Sequence, residues 1–211
     1  MMKKISIFFI CGLIILFSGY MIISAGVAET EGEIDADEIT INLLEAGEEV
    51  IAKGNVLITY NGFKMKGDFS KFNTFTDRIT MEDNLKFEFN NYIIYGDYLK
   101  GKLDTENFEI IDNVRIISED LEMEAGLLVF DNKKGEVNLQ KDIKMVYKDF
   151  AASSDQVIYN ITDELVTLKG NVSGTRNGQG FSAEKVLINL IEENINLKGK
   201  ATLKFRDGEG F

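Results

Sequence analysis

The chain of 211 residues contains no histidine, proline or tryptophan, and its single cysteine is Cys11. Without histidine it lacks the commonest general base, and beyond residue 11 it has no thiol nucleophile. One cysteine also excludes an intramolecular disulfide. Because proline is absent, every backbone N–H remains available to a continuous β ladder. These absences argue against an enzyme and leave packing and backbone hydrogen bonds to hold the fold.

Basic residues are scarce as well, with 23 Lys and Arg against 35 Asp and Glu and a net charge of -12. Those present, such as Lys53, Lys86, Arg115 and Lys144, are scattered singly between apolar neighbours. Binding to nucleic acid requires clustered Lys and Arg. The composition therefore argues against a nucleic-acid partner and favours strands with one solvated face.

The N-terminal 28 residues have the features of an export signal. Two lysines precede an apolar run at 5–23, and small residues follow up to Ala28. Cleavage after Ala28 would start the mature chain at Glu29. The alternative is that residues 5–23 are retained as an inner-membrane anchor, since 19 residues nearly span a bilayer core. Cys11 lies inside the run and lacks the small preceding residues of a lipid-attachment site, so we expect it to be inert.

The rest of the chain repeats the pattern of Val50–Tyr60 at a fixed interval of 29 residues. Apolar residues lie five and three positions before a polar reference residue and one and three positions after it. This alternation predicts a half-buried strand. The reference residue and the one before it are mostly of types that tolerate turns and positive φ, which predicts a corner within the strand. The reference residues are Asn55, Asn84, Asn113, Asp142, Asn171 and Lys200.

A second column, mostly of acidic residues, predicts another strand in each repeat. Its members are Asp37, Asp68, Asp97, Gly126, Asp155 and Glu184, each preceded by a small residue. The apolar alternation changes parity across this position, which indicates a bulge or sharp bend. We interpret the acids as acceptors of local backbone hydrogen bonds rather than as a row of cation ligands. We therefore predict no metal site.

Six such units, from about Ile34 to Phe205, predict a stacked repeat architecture. With two strands per unit and no helical periodicity, we predict an all-β, solenoid-like fold, antiparallel or mixed. Residues 29–211 are expected to form this one domain.

The repeated run of a small residue, an acid and alternating apolar residues, followed by Gly-Asn-Val, resembles the OstA-like periplasmic family of lipopolysaccharide transport. The best copies are DADEITI at 35–41 with VIAKGNVLITY at 50–60, and SDQVIY at 154–159 with VTLKGNV at 166–172. The family includes soluble LptA-type bridge proteins and membrane-anchored LptC-type partners. The chain departs from the pattern at Gly126, Asp142 and Lys200, and Gly174 is expected to leave a gap in one inner column.

The resemblance implies a twisted, partly open β-jellyroll or β-taco whose apolar inside holds the acyl chains of lipopolysaccharide or a related glycolipid. It also implies members that join end to end, no catalysis and no cofactor. Expected partners are the glycolipid, other OstA-like transport proteins and further copies of the chain. Expected localisation is periplasmic.

Candidate site residues follow from the columns one and three after the reference. We predict that these lipid-facing residues are Val56, Ile58, Leu85, Phe87, Val114, Ile116, Ile143 and Met145. Exposed β edges predict assembly through Ile39, Ile41, Leu203 and Phe205. The alternative class is a structural solenoid that self-assembles without lipid. The two hypotheses differ in whether the inner walls close on each other or leave a groove.

Overall fold

The computed structural model describes residues 32–89 and 91–204, so the N-terminal segment 1–28, Cys11 and Phe205 lie outside the described residues. All regular elements among them are β strands, which confirms the all-β prediction. The strands are β1 Gly32–Asp35, β2 Glu38–Leu43, β3 Glu48–Tyr60, β4 Phe63–Asn73, β5 Arg78–Phe89, β6 Tyr92–Lys102, β7 Asn107–Ile117, β8 Leu121–Asp131, β9 Glu136–Tyr147, β10 Phe150–Asn160, β11 Leu165–Arg176, β12 Gln179–Asn189, β13 Asn194–Lys198 and β14 Thr202–Lys204.

The strands form one antiparallel sheet in chain order from β3 to β13. At the start, β1 and β2 pair with different halves of β3. At the end, β13 and β14 pair with different halves of β12. Each of these short pairs therefore occupies the place of one long strand broken at its middle. All described pairings are antiparallel, so the mixed alternative does not apply to them.

Each long odd-numbered strand turns a corner at the predicted polar pair. In β3 the pairing with β4 is interrupted between Lys53 and Val56, and the two residues in between, Gly54 and Asn55, have φ of 72° and 48°. The equivalent pairs in β5, β7, β9 and β11, and the pair between β13 and β14, also have positive φ. Two successive left-handed residues redirect the chain and insert the extra length that a bulge requires.

The corners divide the sheet into two walls. Wall one contains β1, β14, the strand halves joined by connections at 61–62, 118–120, 148–149 and 177–178, and the paired halves of β5 and β6 that include Phe89 and Tyr92. Wall two contains β2, β13 and the halves joined at 74–77, 103–106, 132–135, 161–164 and 190–193. These two rows of connections are called rim one and rim two.

The walls fold onto each other about the line of corners. A flat strand of 11 residues, such as β10, would hold its ends about 36 Å apart. Yet Lys148 of rim one places its Nζ 2.6 Å from Oε1 of Glu193 in rim two. The rings of Phe63 on wall one and Phe108 on wall two are 5.5 Å apart. The sheet is thus bent double, with corners on one side and a mouth, where the rims meet, on the other.

We predict that Gly54→Ala lowers the free energy of unfolding by about 2 kcal/mol or more, as measured by urea denaturation. The substitution combines a left-handed backbone, which costs an L-residue roughly 1–2 kcal/mol, with overlap between the new Cβ and the Asp37 carboxylate. Gly62→Ala is the matched control, because Gly62 has φ of 85° and open space around it. Equal losses in the two variants would show that the corner contact has no energetic role.

Candidate functional site

All eight predicted lipid-facing residues lie on wall one and point inward. They come from the halves of β3, β5, β7 and β9 that follow the corner, and none is more than 5% exposed. Their side chains share one face because residues two apart in a strand point the same way. The structure thus brings the eight together, as expected, in one continuous hydrophobic core.

Wall two supplies the facing half of that core and was not included in the predicted site. Its buried residues include the columns three and five before the reference, such as Met81 and Ile79 in β5 and Ile110 and Phe108 in β7. The sequence contained the signal, since these columns have the same parity as the predicted ones. The predicted site therefore includes the side chains of wall one and omits those of wall two, which form the other half of the interior.

The space directly at Gly174 is occupied, because a Cβ placed there would lie 2.8 Å from the ring of Phe181 on the neighbouring strand. Both residues also line an open pocket of about 280 Å³ beside β14, so the expected gap persists next to this position. Phe181 in turn stacks on Phe150, with ring centroids 5.1 Å apart. A large residue on each adjacent strand compensates for the missing side chain.

The two walls pack against each other and do not stand apart as a wide trough. An apolar cavity of about 50 Å³ remains between the walls, lined among others by Phe89, Tyr92, Phe108, Phe130, Tyr159 and Ile161. Of the predicted residues, Phe87 and Ile116 line it, and the others pack elsewhere in the core. A water-sized sphere needs roughly 10–15 Å³ of such space, so the cavity holds about four of them and is too small for an acyl chain. Occupation by lipid would require the walls to separate.

Among the described residues, three polar contacts join the rims across the mouth, and none was predicted. Asn61 donates to the Glu106 carboxylate, the hydroxyls of Tyr92 and Tyr159 are 3.0 Å apart, and Lys148 binds Glu193. The hydrogen bond to Glu193 raises the pKa of Lys148 and lowers that of Glu193. Burial, followed by the bond to Tyr92, raises the pKa of Tyr159. The partners are far apart in sequence, so no local pattern could indicate them.

The acidic column forms a spine of side-chain hydrogen bonds at the corners. In four repeats the reference Asn donates through Nδ2 to the Asp of the preceding strand, over 2.5 to 2.9 Å. These pairs are Asn55–Asp37, Asn84–Asp68, Asn113–Asp97 and Asn171–Asp155. We expected these Asp side chains to accept hydrogen bonds from local backbone N–H groups. In the structure they accept them from Asn side chains of a neighbouring strand. The reference column and the acidic column, which the sequence analysis treated separately, therefore pair with each other in these repeats.

Where the pattern fails, other contacts replace this pair. Glu184 lies 3.7 Å from Nζ of Lys200 as an ion pair. Gly126 leaves room for Lys141, whose Cβ would be 3.0 Å from a Cβ at Gly126. Among residues 32–89 and 91–204, no group of three or more His, Cys, Asp or Glu side chains is arranged to hold a metal ion.

The predicted assembly residues Ile39, Ile41 and Leu203 are exposed by 44%, 41% and 43%. Ile39 and Ile41 pair with Ala52 and Val50, and Leu203 pairs with Phe181, all three of which are buried. Directly paired residues point to the same face of a sheet. The inner apolar face therefore continues into both end strands and is uncovered there. Phe205 lies outside the described residues.

These features define a class of fold. It is an antiparallel sheet folded over an apolar interior, with its two walls joined along the line of corners and their rims in contact at the mouth. Residues 102–194, somewhat less than half of the chain, match the model of a family described as LptA/(LptD N-terminal domain) LPS transport protein. The match confirms the resemblance to the lipopolysaccharide-transport family over these residues. The family is one of transport proteins rather than enzymes.

Among solved structures, the chain is similar to LptH of Pseudomonas aeruginosa, described as the LptA homologous periplasmic component of a conserved lipopolysaccharide transport device. The two are 11% identical, and the match covers 84% of this chain and 96% of that one with a TM-score of 0.27. Because this TM-score is low, the fold is defined by the chain's own strand pairing. No curated protein sequence matches the chain significantly. The described residues contain no helix long and apolar enough to cross a membrane.

We predict that Asn113→Asp lowers the free energy of unfolding by about 1 kcal/mol at pH 7. It replaces the donor, whose Nδ2 lies 2.7 Å from Asp97, with a second carboxylate while keeping a residue that tolerates positive φ. The double variant Asp97→Asn/Asn113→Asp exchanges the two roles and should recover most of the loss. Urea denaturation of the three proteins measures this. Failure of the double variant to recover stability would contradict the pairing.

Proposed function

We propose that the protein is a periplasmic carrier that binds the acyl chains of lipopolysaccharide in its apolar interior and passes the glycolipid from the inner to the outer membrane. The observation that carries this proposal is the single apolar core that runs between two separate walls along the whole stack of strands. An ordinary sandwich joins its walls by loops at both ends of its strands. Here the walls are joined by corners on one side only, so they can part at the mouth.

Hydrophobic burial would supply the affinity. Each acyl CH₂ transferred from water gains about 0.8 kcal/mol. The chain has an acidic balance, so charge attraction would not favour an anionic glycolipid. The interior lining is apolar, and the two buried polar residues among those described, Ser70 and Ser154, leave no polar atom without a partner. The interior would therefore offer acyl chains a fully apolar environment once core side chains move aside.

The uncovered ends suggest how several copies form a path. The apolar face reaches Ile39 and Ile41 at one end and Leu203 at the other, on strands that each have an unpaired side in the described part of the chain. Pairing of two different ends is heterologous and does not close, so it produces open rods. We infer that other OstA-like transport proteins, or further copies, continue the interior at these ends.

The runner-up is a structural β-solenoid that assembles through its ends without lipid. The packed interior favours it, because about 50 Å³ of space holds no acyl chain in this conformation. The LptC-type anchored partner remains the other variant of the transport function, and it differs by retention of residues 5–23.

Photo-crosslinking distinguishes these functions. A photoreactive residue at Phe87 should label lipopolysaccharide in an exporting bacterial host, because this position is 3% exposed and faces the interior. The matched control is Lys86, which points outward and pairs with Glu88 over 2.5 Å. Mass spectrometry of the crosslinked product identifies the lipid. Equal labelling at both positions, or none at Phe87, would contradict lipid binding in the interior.

Assembly through the ends predicts that Ile41→Lys reduces association, because a charge would have to be buried between stacked ends. Light scattering against protein concentration measures the effect. Ile191→Lys is the matched control, since Ile191 is 67% exposed but lies on rim two. If the wild type associates and both substitutions weaken this association equally, the copies contact each other through the rims instead of the ends.

A further inference from the structure

The three contacts across the mouth differ in kind and in place. Asn61–Glu106 and Lys148–Glu193 are exposed polar contacts, one near each end of the stack. Between them lies the Tyr92–Tyr159 pair, which is partly buried, with ring centroids 6.1 Å apart. Both tyrosines line the apolar cavity. The central contact therefore lies at the cavity, and the outer two join the rims on either side of it.

The outer contacts obey the repeat. In both, the partners are 45 residues apart, and the second contact is displaced from the first by three 29-residue repeats. The same offset relates Glu119 of rim one to Glu164 of rim two. Both side chains are exposed carboxylates, so they cannot form the ion pair that Lys148 and Glu193 form at the neighbouring repeat. Among the described residues, this repeat therefore lacks the contact that Lys148 and Glu193 make at the next one, and its Glu164 lies close to Tyr159.

We propose that Tyr92 and Tyr159 form a gate in the mouth through which an acyl chain reaches the interior, and that the mouth opens first at the repeat carrying Glu119 and Glu164. This inference rests on the proposed lipid-carrying function for what passes, but the opening is a property of the protein alone. Loss of the single hydroxyl contact frees the two rings to separate. The Lys148–Glu193 and Asn61–Glu106 contacts limit how far the walls part.

Two substitutions change the gate in opposite directions. Tyr159→Phe removes the hydroxyl contact and keeps the ring, so it should favour opening. Glu119→Lys supplies at this repeat the charge pair that Lys148–Glu193 makes at the next one, so it should oppose opening. Glu82→Lys is the control for the charge change, because Glu82 is exposed on wall two beside the corner, away from the mouth.

Opening is measured without lipid, by the rate at which N-ethylmaleimide alkylates a cysteine placed at Met123, in a Cys11→Ser background. Met123 is 2% exposed and lines the cavity, whereas Met81 is fully buried elsewhere in the core. A cysteine at Met81 therefore reports general unfolding. We expect Tyr159→Phe to raise the rate at residue 123 about fivefold, the factor for one hydrogen bond of about 1 kcal/mol. Glu119→Lys should lower it, and Glu82→Lys should leave it unchanged.

Uptake of the fluorescent fatty acid parinaric acid by the same protein, with Met123 intact, tests what passes the gate. Uptake rates in the same order as the alkylation rates support the proposal. Alkylation that is unaffected by Tyr159→Phe and Glu119→Lys, or that changes equally at residues 123 and 81, overturns the gate. If neither Tyr159→Phe nor Glu119→Lys changes the uptake rate, the acyl chain does not enter through the gate. Alkylation in the expected order with no uptake by the parent protein supports the opening and overturns the carrier function.

Discussion

The corner in the middle of each long odd-numbered strand is the constraint on which the rest of the structure depends. Two successive residues with positive φ, such as Gly54 and Asn55, interrupt the ladder and let one strand belong to both walls. On the odd strands the inward parity is the same before and after the corner, so both halves contribute apolar side chains to one core. The preceding strand bends at its acidic residue, where the inward parity changes. The Asn–Asp contacts align the corners of neighbouring strands into one line.

A line of corners on one side makes the opposite side different in kind. Within 32–89 and 91–204, the polar contacts that hold the walls there are one hydroxyl pair, one ion pair and one amide–carboxylate contact. Individual contacts of this kind contribute on the order of 1 kcal/mol, whereas the backbone ladder and core are cooperative. The fold therefore combines a continuous hydrogen-bonded spine with a mouth held by few contacts, which is the arrangement that the proposed lateral entry of acyl chains needs.

The two ends of the stack create a second asymmetry. Core positions are covered by the next repeat throughout the interior, but the end strands have no next repeat, so Ile39, Ile41 and Leu203 are exposed although they continue inward columns. In a repeat protein this exposure is either capped or used for assembly. An acidic surface with scattered ion pairs keeps the outer faces of the walls solvated.

The sequence by itself determined the all-β class, the positions of the corners and the inward columns that include Val56 and Phe87, because φ preference and period-2 alternation act over a few residues. The tertiary structure decided what depends on how the walls meet. It made the separate Asn and Asp columns into partners, placed Phe181 against Gly174, and left only a small cavity between the packed walls. It also paired Lys148 with Glu193 and Tyr92 with Tyr159. These contacts depend on the twist and closure of the whole sheet, which no local pattern encodes.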